Sequence, residues 1–345
     1  MFNPISNRRL RSYTALAALS AWTSTAHANI YIIPDFLGSI TTSPDAAQIE
    51  GAIDSAVNTV HNLYGNNLKV TMDFSYTPGA AGNLLGTTQG YYDVSYTAYV
   101  NALKADSAAH PANTVLAAAV ANLSKGNDAS GAQDMALSGA QVAMLGLGPA
   151  SDSDATVNIN SNQSFAFTRP VLSSQYDLIG GLEHELDEVL GGGGGGSTLN
   201  SIASSCANKP SGFFCNKRGS LDLYRYSASG VPSFSTSTAV RAYFSINGGR
   251  TKITAFNQNS SGDYGDFAPP GTGAGQLIQN AFSSAGQDEA YTSLSPEYAM
   301  MESIGYDGVV PESSTWAMML LGFGGLGYAG YTRRRALTRC CPSES

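Results

Sequence analysis

Leu68, Val70, Met72 and Phe74 alternate with Lys69, Thr71 and Asp73, a period of two that predicts a strand with one buried face. Residues 29–36 are apolar and β-branched and predict a first strand. Between these two, Ile49, Ile53, Val57, Val60 and Tyr64 fall on one face of a helix over 44–64, with Ser43 to cap it and Pro44 at its first position. Helical patterns recur over 91–105 and 112–123. Residues 156–167 have strand character around a middle rich in Asn and Ser. The clearest helix spans 174–190: Ser174 can cap it, and Leu178, Leu182, Leu186 and Val189 or Leu190 build a core-facing stripe. A glycine run at 191–196 marks a flexible turn, short strands follow between 221 and 256, and 290–304 predicts a last helix. The order implies an α+β fold with an irregular C-terminal part.

The two ends carry addresses. Arg8, Arg9 and Arg11 precede an apolar stretch at 14–22, and Ala26-His27-Ala28 supplies a cleavage point, so 1–28 predicts a signal peptide. Near the other end, 315–331 holds no charge and Arg333-Arg334-Arg335 follows. At about 1.5 Å per residue such a stretch just spans a hydrocarbon core as a helix, with the arginines kept cytoplasmic. Val310-Pro311-Glu312-Ser313 and Trp316-Ala317-Met318-Met319-Leu320-Leu321-Gly322-Phe323 resemble the PEP-CTERM sorting tail of Gram-negative bacteria, with Ser313 where a second proline is usual. That resemblance implies an exported protein, held transiently at the inner membrane through its C-terminal helix. An exosortase-type enzyme would then process it for the cell surface. The layout is 1–28 leader, 29–308 globular domain and 309–336 sorting tail.

Composition narrows the partners. Of 345 residues only 13% are charged, and the formal balance is −8. Removing the ends sharpens it: 29–310 holds 11 basic and 24 acidic side chains, which excludes a nucleic-acid partner. Cys206 and Cys215 lie in the exported part and predict a disulfide. Cys340 and Cys341 lie beyond the arginines.

The chemistry sits in Leu182-Glu183-His184-Glu185-Leu186-Asp187-Glu188-Val189-Leu190-Gly191. His184 and Glu188 are one helical turn apart on one face and can hold one divalent ion between them. Glu185 is rotated by roughly 100° from His184, so it can manage the proton of an attacking water. Gly191 ends the helix and lets the chain return with a third donor. Among the histidines, His27 leaves with the leader, His61 suits packing on the first helix, and His110 precedes Pro111. The third donor is then a carboxylate or absent: Asp222 is the first choice, with Asp263 and Asp266 as rivals.

The pattern His-Glu-x-x-Glu-x-x-Gly resembles the metzincin opening His-Glu-x-x-His-x-x-Gly, with Glu188 in place of a second histidine and Gly194 at the third-ligand position. Val157-Asn158-Ile159-Asn160, Tyr176-Asp177-Leu178-Ile179-Gly180, Leu221-Asp222-Leu223-Tyr224-Arg225-Tyr226, Gly262-Asp263-Tyr264-Gly265-Asp266-Phe267 and Ser303-Ile304-Gly305-Tyr306-Asp307 extend the likeness to bacterial PEP-CTERM metalloproteases. That family implies a zincin fold, with a twisted sheet and a metal-binding helix. It also implies Zn2+ as cofactor, peptide-bond hydrolysis on a protein or peptide substrate, and a strand that pairs with the extended substrate. Met300-Met301 is either the apolar floor under such a metal or ordinary core. The alternative function is a non-enzymatic matrix or biofilm surface protein with a degenerate metal site. A serine hydrolase is disfavoured, since no Gly-x-Ser-x-Gly elbow occurs.

Overall fold

The computed structural model describes residues 29–123, 134–148, 155–206, 208–209, 211–269, 277–288, 290–309 and 323. The leader at 1–28, the apolar span at 315–331 apart from Phe323, and Cys340 and Cys341 lie outside the described residues. Among the described residues, no helix is long and apolar enough to cross a membrane.

The architecture is α+β. Strand β1 (Ile30–Phe36) passes through a single helical turn, α1 (Gly38–Thr41), into α2 (Ala46–Leu63) and returns as β2 (Leu68–Thr77), parallel to β1 in the register Ile30 to Leu68. The alternation along β2 works as its pattern predicts: Leu68, Val70, Met72 and Phe74 are buried and Lys69 is exposed. Helix α2 buries Ile49, Ala52, Ile53, Ala56 and Val60 on one stripe. It starts two residues late because Ser43 accepts from the Asp45 N–H in a turn and leaves Asp45 at the N-cap.

Strand β3 (Leu85–Gln89) is followed by β4 (Tyr91–Ser95), helix α3 (Tyr96–Ala109) and helix α4 (Thr114–Ala121). The helix expected over 91–105 is therefore split. Its first five residues pair antiparallel with β5 (Asp134–Ser138), and Ser95 caps α3 by accepting from the Ala98 N–H. The short helix α5 (Gly139–Met144) follows, then β6 (Ala155–Asn160). The main sheet runs β1-β2-β6-β3. Its first three strands are parallel, and β3 pairs antiparallel with β6 at one edge, Thr87 facing Val157.

Two-residue strands β7 (Phe165–Ala166) and β8 (Tyr176–Asp177) lead into α6 (Leu178–Val189), which packs on α2 and along β3. The helix is shorter than its pattern at the N-terminal end. Residues 176–177 are taken by β8, Asp177 becomes the N-cap, and its carboxylate pairs with Arg169 at 2.7 Å. Leu178, Leu182, Leu186 and Leu190 face the core, yet Glu183, Glu185, Asp187 and Glu188 are buried as well. Beyond α6 come a 3-10 turn at Gly193–Gly196, the one-turn α7 (Leu199–Ser201), the disulfide Cys206–Cys215, and β9 (Lys217–Arg218) beside β5. A second sheet holds β10 (Arg225–Ala228), β11 (Val231–Pro232), β12 (Tyr243–Phe244) and β13 (Thr254–Ala255) in the order β11-β10-β12-β13. The last helix, α8, covers only Pro296–Ser303, because Pro296 suits a first turn and not a helix interior. Met300 and Met301 are fully buried in the main core, against the glycine turn.

Candidate metal centre

Helix α6 presents His184, Glu185 and Glu188 to a cleft of about 410 Å³ walled by residues 82–87, 261–263 and 278–283. Among the described residues, no Lys or Arg lines it. His184 Nδ1 lies 2.8 Å from the Ile278 carbonyl oxygen. A carbonyl only accepts, so Nδ1 carries a proton, and Nε2 lies 3.2 Å from Gln279 Nε2 on the side that faces the acids. Nε2 stands 3.5 Å from Glu188 Oε1 and 3.7 Å from Asp266 Oδ2. One ligand atom from each of these residues falls within 4.8 Å of the others.

The donor set fits a divalent cation on three counts. Glu188 Oε1 is buried without a hydrogen-bond partner, a costly arrangement that a cation would relieve. The separations of 3.5 and 3.7 Å are too long for hydrogen bonds. They come close to the edge of about 3.3 Å in a tetrahedron whose corners lie about 2.05 Å from its centre. Finally, Asp266 is tied by one oxygen only. Its Oδ1 accepts from the Gly194 N–H at 2.7 Å and from Gln279 Nε2 at 3.1 Å, which leaves Oδ2 turned to His184.

The electrostatics point the same way. Burial, then the neighbouring Glu185, pushes the Glu188 carboxyl up to about 8. Burial likewise pushes Asp266 up to about 7, against the pull of His184. Burial alone would lower His184, but Asp266, Glu188 and Glu185 outweigh it and hold the imidazole well above its usual range. These side chains are packed more tightly with negative charge than their buried surroundings favour, and a divalent cation balances that charge.

The chain brings together three of the four residues expected at the site, and the third ligand is corrected. Asp222 lies in the 3-10 turn Leu221–Tyr224 and does not join the group. Its carboxylate accepts from Ser197 Oγ at 2.7 Å, from the Thr198 N–H and hydroxyl at 3.1 Å each, and from the Gly219 N–H at 2.9 Å. With those bonds made it braces the turn. Asp266, one of its rivals, takes the third place in the group that could hold a metal. The glycine run is corrected too: it is packed, not loose, with Gly193, Gly195 and Gly196 buried. A Cβ on Gly194 would lie 2.5 Å from Glu188 Oε1 and 2.8 Å from Asp263 Cβ. The bare backbone at 194, where a metzincin histidine would stand, is what admits the acidic loop, and its N–H orients Asp266.

His61 stays outside the group, its ring nitrogens 3.1 Å from the Ile30 oxygen and from Asn29. Glu185 faces the cleft with Oε2 accepting from the Thr87 hydroxyl at 2.6 Å. Gln279 and Thr87 carry no motif, and nothing in their spacing marks them. A second trio, Asp106, His110 and Asp307, forms near the C-terminal end of α3. Compared with known proteins, the chain matches no family model, no curated protein and no solved structure.

Proposed function

We propose that this chain is an exported zinc-dependent peptidase of zincin type, sorted to the cell surface by its C-terminal tail. The observation that carries the proposal is the meeting of His184 Nε2, Asp266 Oδ2 and the unpartnered Glu188 Oε1, beside a cleft-facing glutamate one residue along the helix. His184, Glu188 and Asp266 would hold the zinc. When bound, zinc supplies a Lewis acid that polarises a carbonyl and makes water more acidic. Glu185 takes the proton of the attacking water and passes it to the leaving amine. Among the described residues, the outer edge of β3 is unpaired in its sheet and borders the cleft, so an extended peptide can add there through backbone hydrogen bonds.

The single imidazole favours a second reading, a non-enzymatic surface protein that keeps the metal for structure. One experiment separates them. The full chain is purified, its metal measured by mass spectrometry, and its cleavage of casein compared with that of Glu185→Gln. The peptidase reading expects one zinc per chain in both proteins and cleavage only in the wild type. Equal cleavage by the two, or no bound metal in the wild type, overturns it.

A further inference from the structure

The edge strand and the metal helix are fastened side by side. Alternate residues of β3 meet successive turns of α6. Leu85 lies against Gly181, where a Cβ would come within 2.7 Å of Leu85 Cδ1. Thr87 Oγ1 donates to Glu185 Oε2 at 2.6 Å. Gln89 Nε2 donates to the Glu188 backbone oxygen at 3.0 Å. The spacing of two along the strand therefore tracks the rise of the helix, with Thr87 at its centre.

The central contact is chemically unlike the other two. Leu85 fills space and Gln89 binds a carbonyl, whereas Thr87 grips the side chain that the proposed reaction needs. Glu185 is 6% exposed, so water does little to hold its carboxylate. Among the described residues, Thr87 is the one side chain that donates a hydrogen bond to it. A glutamate has three rotatable bonds, and a base must present one oxygen at a fixed place. Resting on the peptidase reading, we infer that Thr87 is the positioning residue of the general base. Its hydroxyl fixes Oε2 and so makes Oε1 the proton-accepting atom. Because Thr87 belongs to the strand on which a substrate would lie, the same element sets both the base and the peptide register.

The test compares Thr87→Val, which keeps the shape and removes the hydroxyl, with Thr87→Ser, which keeps the hydroxyl. Each full-length protein is loaded with zinc. Four quantities are read: zinc content, thermal midpoint, kcat and KM on a fluorogenic peptide, and calorimetric affinity for acetohydroxamic acid, which gives its proton to the base without turnover. Thr87→Val is expected to lower kcat about 100-fold with KM changed less than about twofold. It is expected to weaken acetohydroxamate about tenfold through the lost orientation. Zinc content and midpoint stay at wild-type values, and Thr87→Ser recovers kcat. If Thr87→Val fails to fold, Thr87→Ala is read on the same four measurements. An active wild type whose Thr87→Val keeps its kcat, or loses its zinc, or is no worse than Thr87→Ser, overturns the positioning role and leaves the peptidase reading standing. A zinc-loaded wild type that cleaves no peptide removes the reading and this role with it.

Discussion

Asp106, His110 and Asp307 bring together the same side-chain types as His184, Glu188 and Asp266, one imidazole and two carboxylates within 4.8 Å. In the outer trio a single atom, His110 Nδ1, sits 2.8 Å from both Asp106 Oδ1 and Asp307 Oδ2. Those are hydrogen-bond lengths, so the imidazole is spent within the group and no room is left at its centre, even though Asp106 Oδ2 is buried without a partner. The His110 side chain is 51% exposed, so water reaches the imidazole. In the inner trio the imidazole spends Nδ1 on a backbone oxygen, and Nε2, 3.2 Å from Gln279 Nε2, stands 3.5 and 3.7 Å from acids too distant to bond. Donor identity is the same; what differs is whether the donors have spent themselves on each other. Proximity of His and Asp is therefore a weak sign of a metal site, and donors held just beyond hydrogen-bond reach of one another are a stronger one.

The comparison breaks or holds first on the two histidines. His184→Ala is expected to abolish stoichiometric zinc, and His110→Ala to leave it untouched, both read by metal analysis of the purified full chain. Zinc lost from His110→Ala would mean that the trios have been ranked the wrong way round. The next effect concerns the two aspartates that compete for the third position. Asp266→Asn should weaken zinc by more than about 100-fold, the upper end of what an outer-shell change costs. Asp222→Asn should leave zinc affinity unchanged. It should cost about 1 to 3 kcal/mol of stability in denaturant unfolding, since its bonds to Thr198 and Gly219 are buried. If the two variants exchanged phenotypes, the assignment of the third ligand would be reversed.

That reversal would restore the expectation drawn from sequence, and why the expectation failed is instructive. His184, Glu185 and Glu188 were legible because one helix fixes their mutual geometry, and the helix announces itself through Leu178, Leu182 and Leu186. Asp266 was not legible as the ligand, because a donor returning from a distant loop is placed by tertiary packing. Both Asp222 and Asp266 lie beyond the glycine turn, and hydrogen bonds made only in the folded chain separate them: Gly194 and Gln279 orient Asp266, while Ser197, Thr198 and Gly219 hold Asp222. The strands β1 and β2 and the helix α2 were readable from their periods. Residues 91–95 were not, since an apolar run beside a helix carries no mark of the strand partner, β5, that claims it. The glycine run misled for a related reason: glycine permits both loose chain and close approach, and the sequence does not say which surroundings press on it.

The smallest effect belongs to the outer trio and concerns acid. Burial, followed by the neighbouring Asp307, lifts the Asp106 carboxyl from 3.8 to about 6, with His110 pulling the other way. An acid whose folded value is raised binds its proton more tightly in the folded chain than in the unfolded one. Its contribution is therefore fully present below about pH 3.8 and is lost as the pH rises through about 6. The loss is on the order of 1 to 2 kcal/mol, because the rise in proton affinity sets an upper bound and partial exposure screens it. Asp106→Asn should flatten the stability curve in that window, measured by urea unfolding at successive pH values, and should leave zinc content alone. A slope that persists in Asp106→Asn, or a zinc content that falls with it, would show that the outer trio is not closed around His110 and would erase the contrast with the inner one.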